Sequence, residues 1–266
     1  MRNFIFATEG AHDVSFLGKL LVRRGFEKTT IFDKLPAEWK PLFPKKFPWN
    51  GNSIERVARF PEVFQKDDLV VGLLNSGGDS RLISVVRNTL DILIPGNVER
   101  VVIFSDADCE PASKRFDNLT AALKNINDLA AVEKAPGYPI PVPSKIGILE
   151  CGNPEVAIFV FPDNFNSGTL EDILFECSSI SHPDLSKMTS DFVASLDSEL
   201  AGGHKSLIKM RQGSNNKKCI MGSIANVLKP GSSLAVAVEQ QKLIPEIKES
   251  PQIVMDVDNF VKKCLL

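Results

Sequence analysis

Three apolar runs in this sequence lead into acids. Asn3-Phe4-Ile5-Phe6-Ala7-Thr8 meets Glu9, with Asp13 one helical turn beyond. Val101-Val102-Ile103-Phe104 passes through Ser105 into Asp106 and Asp108. Val156-Ala157-Ile158-Phe159-Val160-Phe161 passes through Pro162 into Asp163, and Glu171 and Asp172 open the next helical stretch. Ligands of open parallel sheets bind beyond the carboxyl ends of the strands. Carboxylates gathered on such an edge repel one another, and a cation relieves that repulsion. An all-oxygen donor set favours Mg²⁺ or Mn²⁺ over zinc. Two acids separated by one residue can both reach a metal where the chain has left the alternation of the pleat.

Each acid also has a local reading. Asp13 can cap a helix starting at Val14, and Asp108 can cap one carrying Pro111 near its start. Thr169-Leu170-Glu171-Asp172 fits a capping box, which accounts for Asp172 without function. Glu9, between an apolar strand and a glycine, has no obvious cap geometry, and Asp106 directly ends its strand. Lys205, Lys217 and Lys218 are basic candidates for steadying a phosphate; the plainer reading is a solvated helix face. His12, His182 and His204 are scattered, with no metal-ligand spacing. Ser76-Gly77-Gly78-Asp79 lacks the Lys-Ser/Thr ending of a P-loop and reads as a sheet-to-helix turn. No GxSxG elbow is present.

The elements that must position these residues alternate. Strands are expected at 3–8, 68–74, 101–104, 146–149 and 156–161, and helices from Val14 to about Arg24, from Leu82 to Leu93, from Phe116 to Leu129 and from Leu170 to Glu176. That order predicts an α/β fold, a mostly parallel sheet with helices on both faces. Residues 35–66, broken by Pro36, Pro41, Pro44, Pro48 and Pro61, read as an insertion or strand-poor excursion that packs through aromatics. Beyond Ser178 the periodicity is helical, and its Met and Phe stripes, Met188 and Phe192 among them, are expected in the core. The domain reading is therefore an α/β domain over 1–178 and a helical extension over 179–266.

Composition narrows the function classes. The 266 residues are 43% hydrophobic and 24% charged, which excludes a disordered or collagen-like chain. Lys plus Arg number 31 against 33 Asp plus Glu, a net charge of −2. That excludes a globally basic nucleic-acid coat but leaves room for a local basic groove. Arg23, Arg24, Arg81, Lys114, Arg115 and the C-terminal lysines are the candidates for one. No apolar run approaches the roughly 20 residues a membrane span needs. The start MRNFIFATEG has no signal-peptide pattern. Five scattered cysteines without a CxxC pair point to a reduced, cytoplasmic protein.

Thr8-Glu9-Gly10-Ala11-His12-Asp13 and Ser105-Asp106-Ala107-Asp108 together resemble the Glu-Gly-x-x-Asp and Asp-x-Asp signatures of the Toprim domain. Gly77-Gly78 stands where a glycine turn follows the second Toprim strand. Pro162-Asp163-Asn164 and Gly168-Thr169-Leu170-Glu171-Asp172 are similar to the pattern of stand-alone Toprim-like proteins related to OLD-family nucleases. The resemblance covers about residues 1–178. Thr8 replaces the usual aliphatic residue, and the 35–66 stretch is long for a minimal Toprim core. The resemblance implies a Toprim-like, Rossmann-like fold and Mg²⁺- or Mn²⁺-dependent phosphodiester hydrolysis on DNA or RNA. It implies that Asp106 and Asp108 hold the metal, with Asp13 in the same acidic set. Glu9 is a ligand or general acid/base, and Lys205 is a catalytic lysine. Asp163 with Glu171 or Asp172 completes a second metal position. The alternative is a non-catalytic Toprim module that binds nucleic acid or a protein. Any ATPase partner would be a separate protein.

Overall fold

The structure is a computed structural model that describes residues 1–43, 60–93, 96–199, 207–240 and 243–266. The described residues fall into two compact units, Met1–Ser105 with Phe116–Phe159, and Asp106–Arg115 with Val160–Leu266.

The first unit is built on a six-stranded sheet in the order β2-β3-β4-β1-β5-β6. Its strands are β1 (Arg2–Thr8), β2 (Glu27–Thr29), β3 (Glu62–Lys66), β4 (Leu69–Asn75), β5 (Val98–Asp106) and β6 (Glu155–Phe161). β1 runs parallel to both of its neighbours, with Ala7 opposite Leu74 of β4 and Ile103 of β5. Central strands flanked by helices bury both faces, so their sequences are continuous apolar runs rather than alternations. Phe4, Ile5, Phe6 and Ala7 are all fully buried. The edge differs: β2 and β3, and β3 and β4, pair antiparallel. The sheet is thus mixed and mostly parallel, an α/β fold.

Helices α1 (Ala11–Arg23) and α2 (Leu82–Ile92) flank this sheet, and α3 (Ala112–Glu133) lies between β5 and β6 in the chain. α1 packs closely because Gly18 carries no side chain: a Cβ there would lie 3.0 Å from Phe64 and 3.7 Å from Leu73. On the opposite face, Gly72 leaves the space that Trp39 fills. A Cβ at Gly72 would lie 2.1 Å from the Trp39 ring. Trp39 is wholly buried, and its indole N–H donates to Asn3 Oδ1 at 2.9 Å. A buried indole donor needs such a partner.

The second unit is helical: α4 (Leu170–Ser181), α5 (Pro183–Glu199), α6 (Asn215–Leu228), α7 (Leu234–Gln240) and α8 (Gln252–Leu265). α4, α5 and α6 pack on one another. This is the helical C-terminal part expected from the sequence. Among the described residues, no helix is long and apolar enough to cross a membrane.

Three sequence expectations need correction. Residues 146–149 form no strand. Ile148 is 54% exposed, and the stretch touches the sheet through single contacts such as Gly147 N–H to Ile158 O at 2.9 Å. The strand-poor reading of 35–66 fails at its end, where Glu62–Lys66 is a strand. Residues 44–59 of that stretch lie outside the described residues. Met188 and Phe192 are not core; they are 70% and 54% exposed. The buried face of α5 carries Ser186, Thr189 and Val193 instead, and Ser186 Oγ donates to Ser178 Oγ of α4 at 2.9 Å. Small hydroxyl side chains let the two helices approach, and that leaves the larger apolar side chains outside.

Candidate acidic site at the strand ends

Glu9 follows β1, the middle strand of a parallel trio, so its backbone is held from the β4 side. Its carbonyl accepts from Gly78 N–H at 2.9 Å and from the Ser76 hydroxyl at 3.3 Å. The glycines at 77 and 78 are needed, because φ is 73° and 138° there, a region where a Cβ is unfavourable. Thr8, wholly buried, places its hydroxyl 2.9 Å from Leu74 O and 3.2 Å from Gly10 O. On the β5 side, the Ser105 hydroxyl donates to Glu9 Oε1. Ser105 is itself buried. Glu9 is therefore fixed at both its main chain and its carboxylate.

Asp13 lies in the first turn of α1 and accepts from Gly10 N–H at 2.8 Å through Oδ2. It is buried and completes the cap of α1. The helix begins at Ala11 and not at Val14, so Asp13 serves the cap from the third position inside the helix and does not precede it.

In the second unit, Asp106 Oδ1 accepts from Leu170 N–H at 2.9 Å, an amide left unpaired by the helix at the start of α4. Asp108 adopts a left-handed φ of 54°. It exchanges two backbone hydrogen bonds with Gly168, each 2.8 Å, and its exposed carboxylate accepts from Ser214 Oγ at 3.2 Å. Asp is among the residues that tolerate this conformation, and such backbone is over-represented at functional sites. Asp108 stands well ahead of Ala112, where α3 begins, so it is not the cap of that helix.

Asp172 completes the expected capping box, accepting from Thr169 N–H at 2.8 Å. Lys217 Nζ lies 3.8 Å from its Oδ1 and 4.1 Å from the Phe175 ring centre. Glu171, beside it, is buried. Gly168 brings this turn close: φ is +140°, and a Cβ would sit 2.9 Å from Asp172 Oδ2. Gly168→Ala is expected to cost about 1–3 kcal/mol, the usual toll of a strained backbone position. Urea denaturation checks this, and an unchanged midpoint would contradict it.

Asp163 is taken up by its own loop. It accepts from Phe165 N–H at 2.9 Å, Asn166 N–H at 2.8 Å and Asn166 Nδ2 at 2.6 Å. Burial works against its ionisation, but the hydrogen bonds from Asn166 and Phe165 outweigh it and hold the pKa below 3.8. A depressed native pKa contributes stability that is complete above the unfolded-state value and lost as pH falls through the native one. Asp163→Asn therefore lowers stability at pH 7, and the gap from wild type closes in acid. Thermal melts at pH 7 and pH 3 test this; a gap that widens in acid would refute it.

Lys205 and His204 lie outside the described residues. Lys217 is placed beside Asp172. Among the described residues, no group of three or more His, Cys, Asp or Glu gathers closely enough to hold a metal ion. Glu9 in the first unit and Asp106 and Asp108 in the second each carry carboxylate oxygens, the donor type that suits a hard cation. Mg²⁺ is usually held by one or two carboxylates, with water and substrate phosphate filling the other positions. Sequence reasoning missed the supporting hydroxyls of Thr8, Ser76, Ser105 and Ser214. Only Thr8 and Ser105 stood next to a marked acid.

No curated protein matches the sequence. A hypothetical protein from Pyrococcus horikoshii OT3, seen in a crystal structure, is similar over 99% of this chain and 95% of its own, with 17% identity and a TM-score of 0.51. At that identity the likeness bears on the fold alone. The model of the family described as "Protein of unknown function (DUF3226)" matches residues 3–264, nearly the entire sequence, and the chain therefore belongs to the DUF3226 family.

Proposed function

We propose that the protein is a Mg²⁺- or Mn²⁺-dependent nuclease, with Glu9, Asp106 and Asp108 as the acidic residues of a Toprim-like site. The observation that carries this reading is the Ser105 bond to Glu9: Ser105 is followed directly by Asp106, at the end of the strand beside β1. The resemblance of both motifs to the Toprim signatures supports it, as does the all-oxygen donor set.

When bound, the cation would supply charge neutralisation at the phosphate and a more acidic attacking water. Asp106 and Asp108 would hold it, and Glu9 would either join them or take the proton from that water. The water oxygen bonds to phosphorus, the ester bond to the leaving oxygen breaks, and the leaving oxygen gains a proton. Asp13, Asp163 and Asp172 are assigned to structure instead, since Asp13 and Asp172 each take the amide three residues back in their own helix cap and Asp163 takes two amides of its own loop, whereas the amide that Asp106 takes belongs to another element, α4. Lys217, and Lys205 from the undescribed stretch, are the candidates for steadying the phosphate.

DNA or RNA is the proposed substrate, held through phosphate contacts whose affinity falls with salt. A reduced, cytoplasmic setting is consistent with five unbridged cysteines. The test is cleavage of labelled single- and double-stranded DNA and RNA with Mg²⁺ or Mn²⁺. Cutting that is abolished by chelator and by Glu9→Gln supports the enzyme. Salt-sensitive binding without cutting, unchanged in the variant, supports a non-catalytic module.

A further inference from the structure

We propose that the protein takes its nucleic acid as a single strand, with an unstacked base on the Phe165 ring and the sugar–phosphate backbone along Lys209 and Lys218. The inference rests on nucleic acid being the substrate and deepens that reading by naming the form. Phe165 is 81% exposed in the loop between β6 and α4. Apolar side chains standing singly on a surface are ordinary, but this one is held out by a built loop. Its amide donates to Asp163 Oδ1 at 2.9 Å, and Asn166 donates to the same carboxylate through its amide at 2.8 Å and its side chain at 2.6 Å. Asn164 adds a reciprocal pair with Val160: its amide donates to Val160 O at 2.8 Å, and its Oδ1 accepts from Val160 N–H at 2.8 Å. A ring on so fixed a backbone gives up little freedom when a base stacks on it.

Charge in the same unit is one-sided over one stretch. No Asp or Glu stands between Glu199 and Glu239, a stretch that carries six Lys and Arg in a chain of net charge −2. Lys209, Arg211 and Lys218 are exposed there. Arg211 is paired with Asp197, so Lys209 and Lys218 are the residues assigned to phosphate. The basic stretch and the Phe165 loop meet the same turn. Gly168, three residues beyond Phe165, exchanges two backbone hydrogen bonds with Asp108. Ser214, between Lys209 and Lys218, donates to the Asp108 carboxylate at 3.2 Å. All of these residues belong to the second unit. Proteins hold single strands by joining an aromatic platform to a cationic track. A duplex also offers its phosphates to lysine, but neighbouring base pairs cover its base faces, so only a single strand uses both features.

The test is fluorescence anisotropy of the full chain in EDTA, so that neither metal nor cleavage enters the measurement. The probe is a labelled oligonucleotide of mixed sequence, as single-stranded DNA, single-stranded RNA and duplex DNA. At least one single strand is expected to bind about tenfold tighter than the duplex, the worth of one stacked base. Phe165→Ala removes that advantage and leaves duplex affinity nearly unchanged, and Phe165→Trp keeps it. Lys209→Gln combined with Lys218→Gln weakens binding of both forms and flattens the salt dependence on the single strand by about 0.7 per lysine. Both lysines are exposed, so the melting temperature stays at the wild-type value. A duplex bound as tightly as either single strand, no effect of Phe165→Ala, or an unaltered salt dependence in the lysine pair overturns the inference and leaves the nuclease reading standing. Wild type that binds neither DNA nor RNA overturns both. The expected binding pattern in a protein that never cleaves with Mg²⁺ or Mn²⁺ upholds this inference and overturns the nuclease alone.

Discussion

Under the proposed nuclease function, Glu9→Gln and Asp106→Asn are each expected to lower metal-dependent cleavage about 10²–10⁴-fold, the range for loss of a positioned acid–base or charge-bearing group. Both substitutions remove negative charge and keep shape. A glutamine can still accept from Ser105 through Oε1, as Glu9 does. An asparagine can still accept from Leu170 N–H through Oδ1, as Asp106 does. Melting temperatures should therefore stay close to wild type while kcat/KM collapses. Nucleic-acid affinity measured without metal should be retained, since the Lys and Arg side chains proposed to contact phosphate are untouched. Loss of activity that tracks loss of fold would contradict the assignment, as would cleavage that survives both changes. Asp13→Asn separates the two roles argued for the acids. It weakens the α1 cap, whose Gly10 amide it now receives, but leaves the chemistry of the site in place.

Trp39→Ala is the largest expected change in stability. Trp39 is wholly buried, among the largest side chains with that property, and emptying such a position costs about 3–5 kcal/mol. It also removes the indole donor from Asn3 Oδ1. Gly72→Ala should be severe as well, because its new Cβ would stand 2.1 Å from the ring. The two changes are not additive, since they contest the same space. In a Trp39→Ala background, Gly72→Ala should cost far less than in wild type. Urea denaturation of the four proteins measures the coupling. Additive losses would show that Trp39 and Gly72 do not share the pocket.

The parts of the fold that were legible are those where burial is two-sided. β1, β4, β5 and β6 announce themselves as apolar runs, because a central strand in a layered α/β fold meets no water on either face. β2 was invisible for the opposite reason: Glu27-Lys28-Thr29 is short, polar and largely exposed. Its place at the edge is fixed by pairing to β3, a contact between segments far apart in sequence. Ile146-Gly147-Ile148-Leu149 is an apolar run that forms no strand, and Ile148 faces solvent. On α5, Met188 and Phe192 lie at helical spacing, but Ser186, Thr189 and Val193 make the face that packs. Periodicity finds a helix more readily than it finds the helix's inner side.

The candidate site was legible at its acids and illegible in their division of labour. Asp172 could be read as a cap because Thr169 stands three residues ahead, and the hydrogen bond is there. Asp163 gave no such sign; its engagement depends on the loop folding Phe165 and Asn166 back onto it. The hydroxyl on Glu9 was hidden too. Ser105 reaches it only because β1 and β5 are neighbours in parallel register, with Ala7 opposite Ile103.

Anomalous diffraction from crystals soaked in Mn²⁺ tests directly the proposal that Glu9 and the Asp106–Asp108 pair meet at one cation. The account predicts one manganese peak about 2.0–2.2 Å from a carboxylate oxygen of Glu9 and from one of the Asp106–Asp108 pair, distances typical of small hard divalent ions. Manganese bound elsewhere, or held by one of these groups while the other stays remote, would contradict it.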